Sequence, residues 1–171
     1  MKIIIINGCS SSGKTSLSRE LQYQLKDTYL HISSDQFLGQ FPYKLYESGD
    51  KKIIGETIDK GISNLNHCAY ALAKASNNII IDCVFERKEW QIELFSLLND
   101  FDTTFVGLKC DLEELEKREK KRGDRAIGLA RAQFNQVHRD MHYDIELDSN
   151  KLAVVDCAKE IIGNESQERM G

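Results

Sequence analysis

The segment Gly8-Cys9-Ser10-Ser11-Ser12-Gly13-Lys14-Thr15 sets two glycines, a lysine and a hydroxyl at the spacing that wraps a chain around an anionic phosphate. The glycines let backbone N–H groups turn inward, and the start of a following helix adds partial positive charge. Lys14 has the reach for β- and γ-phosphates, and the Thr15 hydroxyl suits Mg²⁺. With Ser16 as its last member, this stretch is expected to bind a nucleotide. A Gly/Ser-rich turn with a surface lysine is the plain alternative. The flanks oppose it, because four isoleucines run directly into the loop and a helical pattern leaves it.

Two carboxylates stand at comparable places. Asp82 follows Ile79-Ile80-Ile81, a hydrophobic run ending in an acid that can bind Mg²⁺, often through a water. Its alternative role is to cap or hydrogen-bond a nearby loop. Asp35 follows the apolar stretch 29–33, where a carboxylate can take the proton of an attacking hydroxyl. It can equally cap a short helix beginning at Gln36-Phe37, and spacing alone does not separate the two.

Arg118, Lys120, Lys121, Arg122, Arg125 and Arg131 crowd around Gly123-Asp124. A glycine between arginines suits a hinge closing over a triphosphate, whose spreading charge arginine can neutralise. Arg122 and Arg125 are assigned that contact. Lys120 and Lys121 read as a solvated helix end, and Arg118 already has Glu114 as a partner at i, i+4. His138 and His142 share an i, i+4 spacing without H-E-x-x-H, so surface histidines are expected there rather than zinc.

These residues need a frame, and the chain alternates strand-length apolar runs with helical patterns. Strands are expected at 3–7, 29–33, 79–85, 103–110 and 145–147. Helices are expected after the phosphate loop, with Leu17, Leu21 and Leu25 as one stripe, and over 56–76, 87–99, 111–121, 126–141 and 151–162. Residues 36–54, with the only proline and a Gly49-Asp50 turn signal, read as loop. In the charged helix, Glu113/Lys117, Glu114/Arg118 and Glu116/Lys120 pair at i, i+4. Such alternation predicts an α/β fold, a parallel sheet with helices on both faces and ligands at the carboxyl ends of the strands.

At 171 residues one domain is expected, spanning 1–163 with a lid around 118–131 and a frayed polar tail over 164–171. A net charge of −4 gives no general reason to expect nucleic acid or an anionic membrane as partner. No stretch approaches the roughly 20 apolar residues of a membrane span. The five cysteines are scattered, with no Cys-x-x-Cys pair, which supports neither zinc nor disulfides and suggests a reducing cytoplasm.

The phosphate loop, Asp35, Ile80-Ile81-Asp82-Cys83-Val84-Phe85 and Arg122-Gly123-Asp124-Arg125 occur in the order that the chloramphenicol phosphotransferase-like kinases have them. So do Gly128, Ala130, Gln133, Val137-His138 and Tyr143-Asp144-x-Glu146-x-Asp148. The chain resembles that family over residues 3–160. The resemblance implies a small P-loop NTPase fold, similar to nucleoside and shikimate kinases, with a five-stranded parallel sheet. It implies ATP and Mg²⁺ as cofactors and a small-molecule hydroxyl as acceptor. The family's aspartate base falls on Asp35 and its lid arginines on Arg122 and Arg125. The founding member's acceptor is a primary hydroxyl of chloramphenicol, an antibiotic-resistance reaction. Residues 36–56 do not match the drug-modifying enzyme, and the turn after Asp35 is more polar here (Gln40, Tyr43, Lys44, Tyr46), so a nucleoside, a sugar nucleotide or a metabolite stands beside chloramphenicol as acceptor. A nucleotide binder without transfer activity is the remaining alternative. A GTPase switch is disfavoured because Cys110-Asp111-Leu112 stands where a guanine-reading Asn-Lys-x-Asp belongs. The oligomeric state has no signature.

Overall fold

Four consecutive isoleucines stiffen an extended backbone that can be buried on both faces. They occupy the middle of β1 (Lys2–Asn7). The computed structural model describes residues 1–123 and 127–168. It sets β1 between β3 (Asn78–Cys83) and β4 (Asp102–Lys109), with β2 (Tyr29–Ser33) beyond β3 and β5 (Ile145–Asp148) beyond β4. All four pairings are parallel, as expected of a five-stranded α/β sheet.

Helices cover both faces, and the side-chain period of two divides β1 between them. Ile3 and Ile5, with Ile79, Ile81 and Phe105, pack against α3 (Lys51–Lys74) and α4 (Lys88–Leu97). Ile4 and Ile6, with Ile80 and Val106, pack against α1 (Lys14–Gln24) and α7 (Val154–Glu168). A third, smaller cluster joins Cys9 to Leu115 of α5 (Leu112–Arg122), Ala130 of α6 (Leu129–Phe134) and Val137. The register aligns Asn7 with Cys83 on one side and Gly107 on the other. The carboxyl ends of three strands are therefore level, and the loops that leave them meet.

Several elements depart from expectation. Residues 36–54 are not one loop: α2 (Ser34–Leu38), a 3₁₀ turn at Tyr43–Leu45 and the start of α3 lie there. The Gly49-Asp50 signal marks the entry to α3, where the Asp50 carboxylate accepts from the Lys52 and Ile53 amides and begins the helix before residue 56. The helix expected over 126–141 is only α6, followed by turns. The Val137 carbonyl is taken by the Asn7 side chain instead of continuing a helical ladder. At the other end α7 begins at Val154 and continues to Glu168, past the expected start of a frayed tail at 164. Of the three i, i+4 pairs in α5, Glu114/Arg118 forms; Lys117 turns to Glu114 and Glu116 pairs with Arg131. No helix among the described residues is long and apolar enough to cross a membrane.

Gly107 makes room for an aromatic ring. A Cβ there would lie 2.6 Å from Cδ2, 2.7 Å from Cε2 and 2.8 Å from Cγ of Tyr143. That ring is held between Phe105 and His138, at centroid distances of 4.6 and 5.6 Å, so it has little space to retreat. Gly107→Ala is expected to destabilise the fold by about 1–3 kcal/mol through overpacking, read as a lower urea midpoint. An unchanged midpoint would show that the ring yields freely.

Candidate active site

The phosphate loop leaves β1 at Gly8, where a Cβ would lie 2.6 Å from the Leu108 carbonyl oxygen. Only glycine allows that approach. Ser11 has φ 66 and Gly13 φ 101, left-handed conformations that turn the loop back before α1 begins. Lys14 is 7% exposed and its Nζ donates to the Cys9 carbonyl at 2.9 Å, drawing the ammonium across the mouth of the loop. The hydroxyls of Ser11 and Ser12 are buried without a hydrogen-bond partner. Buried donors lacking an acceptor are costly, and an anionic ligand would satisfy them. Burial pushes the Cys9 thiol up to about 11 despite the opposing field of Lys14, so it packs as a small hydrophobe.

Asp82 stands at the end of β3, beside the loop. Thr15 Oγ1 donates to its Oδ2 at 2.7 Å, and His31 Nε2 is 3.6 Å from the same oxygen. Burial raises its carboxyl pKa, but the His31 ring beside it, the charge of Lys14 and the Thr15 hydroxyl together outweigh burial and lower it. An alcohol oxygen and an ionised carboxylate this close suit a hard cation such as Mg²⁺. Among the described residues no cluster of three or more His, Cys, Asp or Glu side chains could hold an ion alone. His31 was not anticipated. Residues 31 and 33 share a face of β2, and Ser33 pairs with Asp82, so strand parity carried the signal once the register was known.

Asp35 lies on α2, but it is not the cap. The helix starts at Ser34, and Ser33 forms a capping box with Gln36: the Gln36 amide donates to Ser33 Oγ and the Ser33 amide to Gln36 Oε1. With capping done by its neighbours, Asp35 is exposed at the edge of the phosphate-loop cavity. Lys14, Thr15, Asp35, Asp82, Arg118 and Arg122 line one cavity of about 670 Å³.

The basic segment divides unevenly. Arg122 lines the cavity at the end of α5, and Lys120 and Lys121 are exposed. Arg125 lies outside the described residues. Arg118, one turn before Arg122, does more than pair with Glu114: its guanidinium also donates to the Ser12 carbonyl, to Ser149 Oγ and to the Ser149 carbonyl. It thus ties the phosphate loop to the β5–α7 connection, a role that spacing within the helix did not reveal. Glu119, buried, accepts from the Gly128 and Ala130 amides and so caps α6. Gln133 of α6 accepts from the Ser10 amide and donates to Glu86, fastening the same helix to the phosphate loop and to the end of β3.

Beyond α6 the chain is anchored by Asn7, which is fully buried. Its Nδ2 donates to the Val137 carbonyl and the Tyr143 hydroxyl, and its Oδ1 accepts from the Phe85 amide. The Tyr143 hydroxyl, which accepts from Asn7, also hydrogen-bonds with His138 Nδ1, 2.7 Å away. His138 is therefore half-buried and bonded, unlike the exposed His142, which corrects the expectation of two surface histidines. Burial lowers the His138 pKa to about 4; Lys109 and Lys14 assist and Glu146 opposes. The native state thus favours the neutral ring, while an unfolded chain takes up the proton near pH 6.5. Stability from this source is full above that value and is lost as pH falls toward 4. His138→Asn keeps a hydrogen-bonding amide near the Nδ1 position without titrating. Its melting temperature should fall less than the wild type's between pH 6.5 and 4, and parallel curves would refute the assignment.

The same fold recurs in known proteins. The family model described as chloramphenicol phosphotransferase-like protein matches residues 1–165. A protein of Mycobacterium tuberculosis, provisionally named an O-phosphotransferase, is 29% identical over 180 residues, covering 94% of this chain and 80% of that protein. Among solved structures, the Mycobacterium tuberculosis APS kinase in complex with AMPPNP and APS matches with a TM-score of 0.72 at 18% identity, over 95% of each chain. The shikimate kinase of Aquifex aeolicus matches with a TM-score of 0.60 at 16% identity, over 100% of this chain and 99% of that one. These structural likenesses establish the fold of the P-loop kinases, and the family match does the rest. The chain belongs to the chloramphenicol phosphotransferase-like family.

Proposed function

We propose that this protein transfers the γ-phosphate of ATP to a hydroxyl of a small molecule. The observation that carries the reading is the single cavity shared by Asp35, the phosphate loop, Asp82 and Arg122. Residues 8–16 would receive the triphosphate, with Lys14 supplying charge to its terminal phosphates and the loop amides supplying donors. Thr15 and Asp82 would hold Mg²⁺, which when bound screens the phosphate charge against an incoming nucleophile. Arg118 and the β5–α7 connection border the far end of the cavity and would face the base.

Asp35 is the proposed general base. An exposed carboxylate on a short capped helix can orient an alcohol and accept its proton as the oxygen attacks. Arg122 and Arg125 would neutralise charge spread over the transferring group. Phosphoryl transfer depends mainly on positioning and charge stabilisation, so these groups suffice. Chloramphenicol is one candidate acceptor, named by family membership. Nucleosides, sugar nucleotides and polar metabolites are the others, suited to the polar α2–α3 connection.

The reading is tested with a panel of these alcohols, chloramphenicol included, by following ATP consumption and product mass. Asp35→Ala should lower turnover by about 10²-fold or more while an ATP analogue still binds. Lys14→Ala should lose both turnover and analogue binding. Wild-type turnover in Asp35→Ala would remove the base assignment. No ATP consumption with any acceptor, alongside tight analogue binding, would favour a binder without transfer activity.

A further inference from the structure

One peptide group of the phosphate loop is hydrogen-bonded from both sides. Lys14 Nζ donates to its Cys9 carbonyl at 2.9 Å, and its Ser10 N–H donates to Gln133 Oε1 at 2.8 Å. Gln133 Nε2 in turn donates to Glu86 Oε1 at 2.8 Å. Every proton in this chain points the same way, from the Lys14 ammonium toward the Glu86 carboxylate, so the bonds polarise one another. The chain fixes Glu86 beside the stretch of loop that carries Lys14. Its neighbours in sequence are held as well. The Phe85 amide donates to Asn7 Oδ1, and the Phe85 side chain is fully buried. Arg87 begins α4 with its guanidinium 2.8 Å from Asp59 and 5.3 Å from the centre of the Trp90 ring. Val84, two residues before Glu86, lines the cavity that also holds Asp35. Glu86 itself is half-buried, and among the described residues its one partner is the neutral Gln133 amide. Arg87 is taken by Asp59 and Arg131 by Glu116. Lys14, at the other end of the chain, is the group that terminal phosphates would claim. A partly desolvated carboxylate in this position has charge that no side chain compensates.

We propose that Glu86 selects the acceptor, and that the acceptor is a small amino alcohol whose protonated amine pairs with the Glu86 carboxylate. This rests on the functional reading above. The amine keeps its proton and is not phosphorylated; the hydroxyl of the same molecule meets Asp35 and receives the phosphoryl group. An ammonium supplies the missing charge, and a charge-assisted hydrogen bond is roughly twice as strong as a neutral one. An acceptor bearing a carboxylate or phosphate would instead set like charge against Glu86, next to a nucleotide already rich in negative charge. Discrimination therefore has a repulsive part as well as an attractive one. Amino sugars and short amino alcohols fit the site, and acidic sugars and sugar nucleotides do not.

Two sets of alcohols matched in size and differing in charge test this: glucosamine, glucose and gluconate, and 2-amino-1,3-propanediol, glycerol and glycerate. ATP consumption and product mass are followed with wild type and Glu86→Gln, and a non-hydrolysable ATP analogue is titrated into both. Glutamine keeps an oxygen for Gln133 Nε2 and removes the charge. In at least one set, wild type should phosphorylate the amine with kcat/KM about tenfold or more above that of the neutral polyol, and the acid least well. Glu86→Gln should lose this preference, chiefly through KM, and bind the analogue as wild type does. Equal losses for amine and polyol, or weakened analogue binding, would mark Glu86 as a support for Gln133 only and would overturn the proposal. So would an amine preference that survives in Glu86→Gln. If that variant does not fold, the wild-type preference is followed as pH rises and the amine loses its proton. It should disappear, and a preference indifferent to the amine's charge overturns the proposal. Turnover of any alcohol without an amine preference refutes this proposal alone and leaves the kinase reading standing. No ATP consumption with these six or with the wider panel refutes both.

Discussion

One buried amide ties the working edge of this protein together. Asn7 ends the central strand, and its side chain binds the backbone after β3, the backbone after α6 and the Tyr143 hydroxyl at once. A primary amide in an apolar setting is costly unless its donors and acceptor are used, and here both ends are. The three segments it joins have no reason to meet otherwise, since each lies after a different element. With Asn7 in place the β3 end stands beside the phosphate loop. The segment beyond α6 is brought back over β1 and β4 to within reach of Gly107.

Around that junction, charge is organised by pairing rather than by number. The basic segment contains more cations than the cavity needs, and side-chain partners sort them: Glu116 takes Arg131 and Glu114 takes Lys117. Arg118 is shared between Glu114, Ser12 and Ser149, which makes it a brace across the cavity wall. Glu119 serves α6 from α5, as an acceptor for a helix that begins at a left-handed glycine and so has no side-chain cap of its own. The α6 helix is only one and a half turns long. Isolated, such a helix is unstable, and its existence depends on Glu119 at one end and Gln133 on its face.

Much of this was legible in residue order because the deciding forces were local. The phosphate loop, the isoleucine runs and the alternation of elements are short-range patterns, and they led to the parallel sheet and to Asp82 at a strand end. The structure adds what depends on register. His31 became visible only when β2 was aligned with β3, and Arg118 only when Ser149 was brought across the loop. The helix expected over 126–141 failed for a long-range reason as well, since Val137 is bonded by a residue 130 positions away. The choice between cap and cavity at Asp35 turned on a neighbour: spacing left it even, and Ser33 with Gln36 relieved it of the capping role.

The division of β1 into two faces has a consequence for how such a chain can change over generations. Ile4 and Ile6 share a core with α1, which carries the phosphate loop, whereas Ile3 and Ile5 share a different one with α3, whose neighbour α2 carries Asp35. The sheet insulates the two, so a substitution in one core is felt in the other only weakly, and distant substitutions tend to add. Residues around α2 and α3 can therefore drift, accumulate polar groups and be repacked while the nucleotide half keeps its geometry. A lineage built on this plan can change its clientele without relearning its chemistry.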